Sequence, residues 1–245
     1  MPLPASPLLE IAVQDVESGR VAREHGADRF ELCQALGVGG LTPSRGLMEH
    51  VASLGVPFRP LIRPRAGGFR YTEDEVAVMV RDVQIALECG AAGVVVGALT
   101  DSGLDTTALA AMVRAAAGTP VIVHRCVDVL LGAWGADPEG VAGQLVDLGV
   151  AGLLTSGGAS RAVEGTDVIA ALVRAGSGEL EIIAGGAVQP EHVPSLAGAG
   201  AHAVHLSAGG PVVAGPAGPG GGEDEFTTTT ATGVTAARTA LDALR

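Results

Sequence analysis

The chain of 245 residues has no lysine: all 15 of its basic residues are arginine. Without a lysine amine no Schiff base can form with a carbonyl substrate, so lysine-dependent aldolase chemistry is excluded. Aromatic residues make up only 2% of the chain, which leaves few rings on which nucleic-acid bases could stack. The formal net charge of −12 opposes a phosphate backbone, whose binding needs clustered cations. No nucleic-acid partner is expected. A small anionic ligand stays open, because a local group of arginines can oppose the overall charge.

Cysteine is scarce as well. Three occur, an odd number, and they lie far apart at Cys33, Cys89 and Cys126. No disulfide framework is expected, and reduced thiols suit a cytoplasmic location. The opening MPLPASPLLEIAV has neither a basic region nor a long apolar core, so it does not read as a signal peptide. No apolar run approaches the roughly 18 residues of a membrane span. The first predicted strand is not followed by G-x-G-x-x-G, so no nucleotide cofactor is expected.

What is present is a repeating alternation of short apolar runs and longer amphipathic segments. The runs LLEIAV (8–13), DRFELC (28–33), PFRPLIRPR (57–65), GVVVGAL (93–99), PVIVHRCV (120–127), GLLTSGG (152–158), LEIIAGGAV (180–188) and AVHLSA (203–208) read as strands. Between them lie helical segments. The clearest, 72–90, opens with Thr72 and Glu75 in capping-box spacing; another starts near Ser44. Eight strand–helix units in a chain of this length predict one α/β domain, a (β/α)8 TIM barrel covering 1–245. A doubly wound open sheet is the competing architecture. The segment 209–230, rich in Gly, Pro and Thr, reads as a flexible loop before the last helix.

Active sites of such barrels sit at the C-terminal ends of the strands. Side chains alternate along a strand, so Arg29, Glu31 and Cys33 share one face of the second strand. Glu10 lies on the first, the third carries Arg63 and Arg65, and the fifth carries His124 with Cys126 and then Asp128, all of one parity, with Arg125 opposite. Buried charges demand partners, so these groups are expected to meet one another, a ligand, or both. Glu10, Glu31, His124 and Asp128 are the candidate acid–base residues. Arg29, Arg63, Arg65, Arg125, Ser156, Gly157, Gly185, Gly186, His205 and Ser207 are the candidate substrate contacts, the glycines because bare N–H groups cradle anions. Thiolate and imidazole are ligands for soft ions, which makes Cys33 and Cys126 candidate copper ligands, although no C-x-x-C or H-x₃-H spacing supports them. Cys89 reads as a packing residue.

The stretches LEIAVQDVESGRVAREHGADRFELC, GGLTPSRGL, LIRPRAGGFRYTEDEVAVMVRDVQIALECGAAGVVVGALT, VHRCVD, LLTSGG, AVEGTDVI, IIAGGAV and VHLSA, taken in order, resemble the CutC copper-homeostasis family over most of residues 9–208. The resemblance implies a (β/α)8 barrel, a cytoplasmic location, a role in copper handling and self-association as a homodimer. It carries over to Glu10, Arg29, Glu31, Cys33, Arg63, Arg65, His124, Arg125, Asp128, Ser156, Gly157 and His205. The chain departs from the family pattern in three places. The family has a small residue and then an aromatic after His-Arg, where this chain has HRCVD, so Cys126 is not a family ligand position. Ala187 interrupts the glycine run after the seventh strand, and the Gly/Pro-rich stretch 209–222 is unusual.

Overall fold

A computed structural model of the chain describes residues 3–4, 6–216, 218–219 and 224–244. Eight parallel strands alternate with helices: β1 (Leu8–Val13), β2 (Arg29–Leu32), β3 (Phe58–Pro60), β4 (Val94–Val96), β5 (Val121–Val123), β6 (Gly152–Thr155), β7 (Glu181–Gly185) and β8 (Ala203–Leu206). Their order is β3-β2-β1-β8-β7-β6-β5-β4. A parallel bridge between Leu61 and Val95, with Ile62 N–H donating to the Val95 carbonyl at 2.7 Å, joins the two ends and closes the barrel. The observed strands are shorter than the predicted runs. Residues past each strand end turn away to build the mouth.

The helices are α1 (Val16–Glu24), α2 (Arg45–Ala52), α3 (Glu73–Glu88), α4 (Thr106–Ala115), α5 (Pro138–Asp147), α6 (Thr166–Ala175), α7 (Val193–Gly198) and α8 (Ala231–Asp242). Local chemistry fixes several starts. Thr72 Oγ1 accepts from Glu75 N–H at 3.2 Å while Glu75 Oε2 accepts from Thr72 N–H at 2.8 Å, a complete capping box on α3. Ser44 caps α2 and Asp15 caps α1.

Phe30 and Leu32 of β2 face outward into the layer between strands and helices, where most of the apolar core lies. A smaller apolar cluster fills the barrel itself: Cys33, Leu61, Val95, Ile122, Leu154, Ile183 and Ala203. Arg29, Glu31 and Cys33 therefore share a face, as the period-two spacing predicts.

Where the composition of 209–230 reads as a loop, the structure places a β-hairpin. β9 (Gly209–Val213) pairs antiparallel with β10 (Glu225–Thr229). β10 is tied to the start of α1: Gln14 Nε2 donates to the Thr227 carbonyl, Thr228 Oγ1 donates to Asp15 Oδ2 at 3.2 Å, and Thr229 N–H donates to Ser18 Oγ at 3.1 Å. The part of the expected loop at 217 and 220–223 lies outside the described residues.

Candidate functional site

Six ionisable side chains run through the barrel interior as a connected column. At the lower end Arg59, Glu181 and Arg29 join in sequence: Arg59 Nη1 lies 2.9 Å from Glu181 Oε2, and Arg29 Nη2 donates to Glu181 Oε1 at 2.8 Å. Arg29 Nε donates to Glu10 Oε2 at 2.5 Å. His205 Nδ1 donates to Glu10 Oε1 at 2.9 Å, and His205 Nε2 lies 3.3 Å from Glu31 Oε2. All six are buried or nearly so. Gly93 makes room for this column, since a Cβ there would sit 3.1 Å from Arg59 Nε.

The column sets its own charges. Burial pushes the Glu10 carboxyl up, but Arg29, His205 and Arg59 outweigh it and hold the group well below the ordinary carboxylate range. Glu31 has no such arginine. Burial raises it, His205 opposes that, Glu10 reinforces it, and the net shift is upward. Burial lowers His205, yet Glu31 and Glu10 overcome it and its net shift is upward too. Glu10 is thus a fixed anion, while Glu31 and His205, 3.3 Å apart, each hold a proton more tightly than the free side chain does.

Above the column opens a cavity of about 490 Å³. Glu31 and Cys33 line it from β2 and the residue after it, Arg63 and Phe69 from the segment after β3, His124 and Arg125 from just past β5, Gly186 to Gln189 from the segment after β7, and His205 and Ser207 from β8 and the residue after it. It lies at the C-terminal ends of the strands, where barrel enzymes place their chemistry. A second cavity of about 310 Å³ shares Val188, Gln189, Leu206 and Ser207 with it and extends to the start of α8.

His124 is a neutral ring. Burial, with the Arg63 charge beside it, lowers its pKa to about 3. Its Nδ1 accepts from the Cys126 backbone N–H at 3.1 Å, so the ring proton sits on Nε2, which has no hydrogen-bond partner. Gly97 allows the ring to lie where it does: a Cβ there would stand against the imidazole and 2.6 Å from the Cys126 sulfur. Arg63 spends its Nη groups on backbone carbonyls of Val38, Gly40 and Gly67, clamping two mouth loops together. Its Nε is unpartnered, and among the described residues no carboxylate pairs with it. The guanidinium also stacks over Phe69, 5.2 Å from the ring centroid.

The family model described as the CutC family matches residues 7–210. The chain belongs to the CutC family. A CutC family protein of Xanthomonas campestris pv. campestris is 43% identical over 209 residues, covering 84% of this chain and 85% of its own length. One from Agrobacterium fabrum is 42% identical over 190 residues, covering 77% of this chain and 74% of its own. Among solved structures, a CutC protein from Streptococcus agalactiae named for copper homeostasis superposes with a TM-score of 0.75 at 28% identity, over 82% of this chain and 98% of that one. A thiamine phosphate pyrophosphorylase from Pyrococcus furiosus, at a TM-score of 0.59 and 14% identity, shares the fold alone.

Placed against this geometry, the candidate residues of the CutC-family chain divide. Glu31, Cys33, Arg63, His124, Arg125, Gly186, His205 and Ser207 line one cavity. Glu10 stands directly behind His205. Arg29 does not reach the cavity: its guanidinium is consumed by Glu10 and Glu181 below. Arg65 turns outward, where it pairs with Glu75 and donates to the Arg70 carbonyl at 2.6 Å. Asp128, expected as an acid–base group, is instead an anchor. Its carboxylate accepts from Thr155 Oγ1, from the N–H groups of Ser156 and Gly158, and from Arg125 Nε. Ser156 and Gly157 belong to that anchored turn, and Gly185 packs behind His205.

The expected copper pair does not form. Cys33 faces the cavity, whereas Cys126 is packed in the outer apolar layer behind His124. Burial raises both thiols well above the usual thiol range, with Glu31 adding to Cys33 and Asp128 to Cys126, so both are protonated in the metal-free protein. Among the described residues, no group of three or more His, Cys, Asp or Glu side chains is placed to hold a metal ion. Cys33 and Cys126, in different layers of the barrel, do not fit a shared copper site. Arg59, Glu181 and Phe69 were not among the candidates. Arg59 carried a usable signal, since it precedes Leu61 and Arg63 at the same parity.

Proposed function

We propose that this CutC-family protein serves copper homeostasis indirectly, by binding a small anion in the barrel mouth and performing acid–base chemistry on it. One observation carries the reading: the Arg63 guanidinium, with which no carboxylate pairs among the described residues, faces the same cavity as the Glu31–His205 pair. A cation without a carboxylate favours an anionic guest. A buried carboxylate and an imidazole in contact, both with raised pKa values, suit general acid–base catalysis, which contributes about 10²–10⁴-fold. Arg125 stands on the same wall as a further cation, held in place by Asp128. The cavity is concave, partly apolar and supplied with a few convergent polar groups, as small-molecule sites are.

The other reading is a copper-binding barrel using Cys33. Two measurements separate them. In a thermal-shift screen of small carboxylates and phosphates, at least one anion raises the melting temperature of the wild type. In competition against a Cu(I) chelator, Cys33→Ser binds copper as the wild type does. Stoichiometric Cu(I) binding that Cys33→Ser abolishes, with no anion stabilising the fold, would replace our reading with the copper-binding one.

A further inference from the structure

Resting on that reading, we infer the class of the guest and of the reaction: a small anion bearing a carbonyl group, from which the site removes a proton on the adjacent carbon. Two groups on the cavity wall point to it. Glu31 is a carboxylate only 6% exposed that lines the cavity and, among the described residues, has His205 as its ion-pair partner, at 3.3 Å. It is a base with an open lone pair. His124 is 5% exposed, lines the same cavity, and carries an Nε2–H that nothing among the described residues accepts. An unsatisfied buried donor is costly, and an oxygen of the guest would satisfy it as the site tightens around the ligand.

The two groups are complementary in chemistry. A neutral imidazole donates to a carbonyl oxygen without surrendering its proton, the role suited to polarising a carbonyl that becomes an enolate. Glu31 takes the proton from the carbon. The C–H electron pair becomes the C=C bond, the carbonyl π pair moves onto oxygen, and that oxygen is held by His124 Nε2–H in the field of Arg63. Glu31 then returns the proton to the same carbon or to its neighbour. Atoms and electrons balance without any co-reactant, giving exchange or isomerisation. Arg125 is placed for the guest's anionic end. The absence of lysine is consistent with this route, since enolisation through oxygen needs no Schiff base.

The test uses the full chain in D₂O, following by proton NMR the signals next to the carbonyl of pyruvate, hydroxypyruvate, 2-oxoglutarate and dihydroxyacetone phosphate. At least one compound should exchange about 10²-fold or more above its protein-free rate. Glu31→Gln should remove that acceleration. His124→Phe should also lose it, while His124→Gln, which keeps an N–H donor, retains part. Should the Glu31 variant fail to fold, oxalate, a planar mimic of an enolate, replaces it as the probe on the wild type: inhibition of exchange and a moved His124 nitrogen resonance support the assignment, and neither effect overturns it. Exchange by Glu31→Gln at the wild-type rate also overturns it. A compound that stabilises the fold yet never exchanges sinks the enolisation and leaves anion binding standing, whereas no stabilisation and no exchange by any of them sinks both.

Discussion

Replacing Arg29 by methionine tests the interior column most sharply. The column holds three acids (Glu10, Glu31, Glu181) against Arg29, Arg59 and the His205 imidazole. Arg29 touches two of the acids, at 2.5 and 2.8 Å, and its side chain is 6% exposed. Methionine fills much of the volume but leaves Glu10 with His205 at 2.9 Å and a distant Arg59 at 4.0 Å. Removing one partner of a buried ion pair costs about 3–5 kcal/mol. In a chain of this size that is a fall in melting temperature on the order of 6–20 °C. The sign of the pH dependence is the stronger check. In the wild type the Glu10 carboxyl is depressed, so its contribution to stability is present above the unfolded carboxylate pKa of about 4.3 and is lost as pH falls toward the folded value. In Arg29→Met burial is no longer outweighed by that guanidinium, the carboxyl rises, and acid neutralises the stranded charge. The difference between the two proteins should therefore be largest near neutral pH and shrink as pH falls toward about 4. Urea unfolding followed by circular dichroism measures it. A penalty below about 1 kcal/mol, or one that stays flat over this range, would refute the account of the column as a set of mutually dependent buried charges.

Asp128→Ala strands the donors of Thr155, Ser156, Gly158 and Arg125; a loss of about 2–3 kcal/mol is expected in chemical denaturation, and Asp128→Asn should recover part of it. Glu31→Gln removes the chief group raising His205, so the His205 midpoint, read by NMR, should fall relative to the wild type. Because the folded His205 value is raised, its stabilisation is full below the unfolded value of about 6.5 and fades as pH rises through the folded one; that alkaline fade should be weaker in Glu31→Gln. Gly97→Ala drives a methyl into the His124 ring and the Cys126 sulfur, costing about 1–3 kcal/mol by overpacking and displacing the His124 resonances. An unchanged melting curve there would contradict the placement of His124.

The alternation of eight strands and their helices was legible in the sequence because both periods are local. A strand alternates every two residues and a helix start depends on a few neighbours, so the β2 face bearing Arg29, Glu31 and Cys33 and the Thr72–Glu75 capping box could be read directly. Parity says which face a side chain takes. It does not say how high along the barrel axis it stands, because that depends on strand tilt and stagger around the closed sheet. Only the tertiary structure therefore separated Arg29, consumed by Glu181 from 152 residues away, from Arg63 at the mouth. It likewise turned Arg65 out to Glu75, tied Asp128 into a backbone turn, and moved Cys126 behind His124. The strands β9 and β10 are not legible in the composition of 209–230, because an antiparallel pair is specified by its partner strand and by the start of α1, and a glycine-rich stretch carries no trace of either. The sequence determined which side chains enter the barrel; long-range closure decided which of them remain free to meet a ligand, since a buried charge is committed to whatever opposite charge the fold brings nearest.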